Sequence, residues 1–143
     1  MAPWARVLAI AAAGATLGAI GLSLLTVLFY AIFARDALKD GQFGMVFMAT
    51  VPFGAMLGAI AGATLALLAL GKTESAGSVC LVSGAPVAGL ALLFTFLWVM
   101  STTDPTCRGL RGFVLALVYP GWGAPFLWAL AEVIWGASLL RKP

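Results

Sequence analysis

Of the eight basic and five acidic residues in this chain, only Glu132 lies inside a long apolar stretch. The other charges fall at the two ends or in three short polar gaps, 35–40, 72–74 and 104–111. Between them run four apolar segments, roughly 7–33, 44–70, 79–100 and 113–140. An α-helix rises ~1.5 Å per residue, so ~20 residues cross ~30 Å of hydrocarbon. Each segment is long enough. The spacing of charge therefore predicts an all-α, polytopic membrane protein: one transmembrane domain over 1–143, built as a four-transmembrane-helix bundle with short loops.

Composition agrees. Of 143 residues, 63% are hydrophobic and 9% charged, against roughly a quarter charged in soluble globular domains. The spans and their flanks use nearly the whole length, so no separate extramembrane catalytic domain fits. The first segment could be taken for a secretory signal with Ala11, Ala12 and Ala13 near its cleavage site. However, the apolar run before those alanines is only 7–10, and apolarity continues to Phe33.

A basic excess of three invites a nucleic-acid reading, but Arg6, Lys72, Arg141 and Lys142 sit at one end of the spans and Arg35, Lys39, Arg108 and Arg111 at the other. They form no patch and read as interface anchors, with no nucleic-acid partner. Four on each side leave the positive-inside rule balanced, and the amino terminus with the Arg141–Lys142 pair tips the expectation to cytoplasmic termini. Cys80 and Cys107 bracket the third span, some 30 Å apart, too far for a disulfide within the chain. Cys107 is left as an idle thiol or a link between subunits.

Two patterns stand out. Gly54, Gly58 and Gly62 recur at every fourth position, as do Gly14 and Gly18. Residues four apart share a helix face, and glycine there lets another backbone approach closely, which is how helices associate in lipid. These five are the candidate helix-packing residues, toward another span of the chain or a neighbouring subunit. The segments 14–20 and 54–60 also match at six of seven positions, the mark of an inverted repeat if it is one.

In the fourth segment, Pro120 and Pro125 flank Gly121 and Gly123. Proline removes a backbone donor and clashes with the preceding turn, so a kink or unwound turn is expected there: a proline-broken fourth helix. Beyond it, Trp128, Glu132 and Trp135 share one helix face. An ionised carboxylate inside a span costs at least ~2–3 kcal/mol on insertion scales. Glu132 should thus be protonated, paired or facing water. With the two indoles, it is the candidate proton or cation site, or an intersubunit contact.

The sequence holds no histidine, and one acid in the spans cannot make a paired-carboxylate site. No catalytic residue, metal site or cofactor is expected. The reading is a small non-enzymatic membrane protein, an assembly, scaffold or pore-lining subunit acting through its glycine-rich faces. Its partners would be the lipid bilayer, other copies of itself or other membrane subunits. The alternative is a minimal proton- or cation-coupled transporter or channel using Glu132.

Overall fold

The computed structural model describes residues 2–33, 43–101, 119 and 122–141, with backbone alone for 43–46 and 98–101. Among the described residues there are four helices: α1 (Pro3–Phe33), α2 (Phe43–Ala69), α3 (Thr73–Ser101) and α4 (Gly123–Arg141). All four are long and apolar enough to cross a membrane, as fits an integral multi-pass membrane protein. The polar gaps 35–40 and 104–111, with Cys107, lie outside the described residues, as does Pro120.

The first three helices begin earlier than the apolar runs, and α4 begins later, at Gly123. α1 starts at Pro3, where a fixed backbone angle suits the first turn and the missing N–H would be unpaired anyway. The Ala2 carbonyl accepts from the Ala5 and Arg6 amides at 3.1 and 3.3 Å. α2 continues through Pro52 and α3 through Pro86, both on outward faces. α3 starts at Thr73, with Glu74 in its first turn, where a negative charge is favoured by the helix dipole.

The α2–α3 connection is a tight turn with a defined cause. Gly71 takes a φ of +74°, the left-handed region, so its amide bonds the Leu68 carbonyl at 3.0 Å and the Lys72 amide bonds that of Leu67 at 2.9 Å. These two bonds satisfy carbonyls that a helix end leaves open. An L side chain costs ~1–2 kcal/mol in this conformation. Gly71→Ala is expected to lower the melting temperature in detergent by a few degrees, read by light scattering or size exclusion after heating. An unchanged midpoint would mean the turn reforms without left-handed backbone.

α1 packs chiefly along α2 and α3 chiefly along α4, while α2 joins the two pairs through α3 and, to a lesser extent, α4. All four meet in one core: Leu22 from α1, Phe53 and Leu57 from α2, Val87 and Ala91 from α3, Ala129 from α4. The outward surface is as apolar as the inside. Leu17, Met48 and Val82 are 71, 80 and 70% exposed, which fits lipid as the surrounding solvent. Three buried hydroxyls bond back to their own helices, Thr26 to the Leu22 carbonyl, Thr64 to Ile60 and Thr95 to Ala91, at 2.7–2.8 Å, whereas that of Thr50 has no partner among the described residues.

Candidate functional site

The α1–α2 contact is built from the five glycines. A side chain added at Gly54 would lie 2.5 Å from the Gly18 carbonyl oxygen and 2.9 Å from the Ala19 Cα. At Gly62 it would lie 2.6 Å from the Ile10 oxygen and 3.1 Å from the Ala11 Cα. Gly14 and Gly58 oppose one another in the same reciprocal way as Gly18 and Gly54. Each pair sees the other's backbone, so the matching segments 14–20 and 54–60 meet face to face across a local two-fold. In these places backbone touches backbone within one chain.

One flank of this crossing stays open. Ala13, Gly14 and Leu17 of α1, Gly58, Ala61 and Gly62 of α2 and the Trp128 ring of α4 line an apolar cleft of about 380 Å³. The cleft opens sideways, toward the space lipid would fill.

The second contact, α3 on α4, was not apparent from the glycine motifs. Pro125, Ala129, Glu132, Gly136 and Leu139 are the buried residues of α4 beyond Gly123, at alternating spacings of four and three. α3 answers with Gly77, Cys80, Gly84, Val87 and Ala91, all buried and likewise spaced three and four apart. This is the seam spacing of helices that wind along one another. A side chain at Gly136 would sit 2.8 Å from the Leu81 amide nitrogen and 2.9 Å from the Gly77 oxygen. A signal was present in the sequence: Gly77, Gly84 and Gly136 are small residues in register with Cys80 and Glu132.

Glu132 sits in the middle of that seam. It is 4% exposed, and among the described residues neither carboxyl oxygen has a hydrogen-bond partner. From α3, Cys80, itself fully buried, donates its thiol proton to the Glu132 backbone carbonyl, sulfur to oxygen 3.0 Å. A Cβ at Gly84 would be 3.7 Å from the Glu132 Cβ. From α2, the fully buried Thr64 adjoins Cys80. Trp128, one turn earlier in α4, comes within electrostatic reach of the carboxyl without completing a hydrogen bond to it. Arg141 is nine residues on, roughly 13 Å along the axis.

Of the three expected site residues of α4, Trp128 adjoins the Glu132 carboxyl, but the two indoles are not buried in the seam with it. Glu132 faces the seam, whereas Trp128 and Trp135 are half-buried on one flank of it, Trp128 toward the cleft. Pro125 does not interrupt a helix: it occupies the first turn of α4, which starts at Gly123, where a missing N–H costs nothing. Before the helix, Tyr119 is non-helical and Trp122 is in a turn.

Tyr119 packs against α1. The Tyr30 and Tyr119 hydroxyls are 2.8 Å apart, and Phe29 meets the Tyr119 ring edge to face at 5.7 Å. Trp122 stacks on Tyr119 at 4.5 Å.

No protein-family model, curated protein or solved structure matches this chain.

Proposed function

We propose that this chain is a small non-enzymatic subunit of a membrane assembly, with termini on the cytoplasmic side, working by helix association within the bilayer. The observation that carries the reading is the lateral cleft. Glycine and alanine supply six of its lining residues, beside Ile10, Leu17 and Leu65, so the backbone of another transmembrane helix can approach, and Trp128 supplies a large ring. The five glycines hold α1 to α2, and what they leave uncovered is offered outward, to a second copy or another membrane subunit. Ala61→Leu narrows the cleft from its wall rather than at the helix crossing. Native mass spectrometry from detergent should show the parent protein as a discrete oligomer or complex and the variant as a free chain of equal thermal stability. A parent that is purely monomeric, or a variant of unchanged mass, counts against the reading.

A second reading, proton- or cation-coupled transport, is favoured by one observation: a carboxyl group inside a span with both oxygens unpartnered. It predicts that Glu132→Gln abolishes proton-coupled flux into liposomes. Equal flux in parent and variant, or none in the parent, removes it.

A further inference from the structure

The geometry points to Glu132 as a proton-binding site that controls the α3–α4 contact: the seam is closed while the acid carries its proton and parts when the proton leaves to water. The inference takes from the second reading only the proton on Glu132, and its test uses neither flux nor mass, so either can fail alone.

Enclosure is the first observation. At 4% exposure, the Glu132 side chain is held between the seam face of α3 and its own helix, with Thr64 of α2 behind Cys80. A neutral carboxyl group left without partners there costs ~1–3 kcal/mol, which a bundle tolerates. An ionised one costs several times more, unless it gains a counter-charge or water.

The second observation is that the surrounding elements bring no counter-charge. α2 has no titratable side chain over Phe43–Ala69. On α3, Glu74 is the one charged residue, in the first turn, and Cys80 is the titratable group facing the acid. On α4, Arg141 is the basic residue, more than two turns away. Within α1, Arg6 is exposed near the start of the helix and Tyr30 is engaged with Tyr119. Ionised Glu132 must therefore be reached by water.

The third observation is how the seam is held. Across it the Leu140 and Val133 side chains lie over Gly77 and Gly84, and Gly136 meets the Leu81 amide nitrogen and the Gly77 oxygen. Apart from the Cys80 thiol bond to the Glu132 carbonyl, the two helices are held there by van der Waals packing, which a modest separation disrupts. The acid thus sits where a small displacement admits water to it. Deprotonation and separation of α3 from α4 are two sides of one equilibrium.

Cys80 supplies a native reporter, because its sulfur is sealed in the closed seam. In full-length protein in liposomes, with Cys107→Ser to silence the second thiol, N-ethylmaleimide labelling of Cys80 is followed by mass spectrometry from pH 5 to 9, with and without Glu132→Gln. Thiolate formation raises both rates with pH, so the ratio of the two is the readout. With Glu132 present, labelling should outpace the Gln variant by about tenfold or more at the alkaline end and match it at the acid end. A nearby carboxylate by itself holds back thiolate formation, so a ratio that stays flat or falls overturns the proposal. Should Glu132→Gln fail to fold, hydrogen–deuterium exchange of 129–136 in the parent decides. Exchange that gains at least tenfold beyond intrinsic base catalysis between the same pH values supports parting, and no gain overturns it.

Discussion

Gly58→Leu is expected to abolish the α1–α2 contact, leaving a protein that is lost on extraction or elutes from detergent as aggregate. The added Cβ alone would stand 2.8 Å from the Gly14 carbonyl carbon and 3.0 Å from the Gly18 Cα, and closer still to the Gly14 oxygen. These are backbone atoms on a helix, and they cannot turn aside as a side-chain tip can. Overpacking usually costs ~1–3 kcal/mol because neighbours shift; here the whole helix must move, and the loss should exceed ~4 kcal/mol. Gly21→Leu is the matched control, since a Cβ at Gly21 meets nothing within 4 Å. It adds the same volume to the same pair of helices. If both variants keep the parent's elution volume and thermal midpoint, the two helices do not meet at these glycines.

Gly136→Val should be nearly as damaging, and at the other contact. A Cβ there would meet the Leu81 amide nitrogen, the Gly77 oxygen and, at 3.1 Å, the Cys80 Cβ. The expected loss is ~3 kcal/mol or more, read as a fall in thermal midpoint of the detergent-solubilised protein. Gly84→Ala provides the gradation. Its nearest neighbour would be the Val133 Cγ2 at 3.3 Å, a methyl group that can give by a few tenths of an ångström, so the change should cost under ~1 kcal/mol. Equal losses at the two positions would show that the seam is looser around Gly136 than these distances require.

How far the sequence could be read follows from which interactions are local. Helix content and the number of spans needed only the rule that lipid offers the backbone no hydrogen-bond partners, so each long apolar run must coil on itself. The turn at Trp122 that precedes α4 falls within the proline- and glycine-rich stretch, because these residues act on their own backbone. The place of Pro125 was less readable: it suits a first turn as well as a kink, and which it occupies depends on where the helix begins.

The helix-packing glycines could be named but not paired. Spacing of four marks a face, yet Gly14 opposite Gly58 and Gly18 opposite Gly54 is a relation between two helices separated by a polar gap. The α3–α4 seam was harder still, since its small residues alternate by three and four among cysteine, valine and glutamate instead of forming an unbroken glycine ladder. Reading Gly77, Cys80, Gly84, Val87 and Ala91 as one stripe would have revealed it. Nothing in the sequence joined Tyr30 to Tyr119.

Glu132 shows the division most plainly. That an acid lies inside a span, at a cost, follows from composition and helix rise alone. That it turns into a glycine-lined seam, with Cys80 opposite and its oxygens unpartnered, while Trp128 turns toward the cleft, depends on how α4 is rotated against α3. The sequence by itself determined the four apolar helices, because backbone hydrogen bonding in lipid is satisfied within each helix. Only the tertiary structure decided which faces meet and what surrounds the acid, because helix association in lipid rests on close fit between surfaces distant in the chain, and apolarity in a span is the same toward lipid as toward protein.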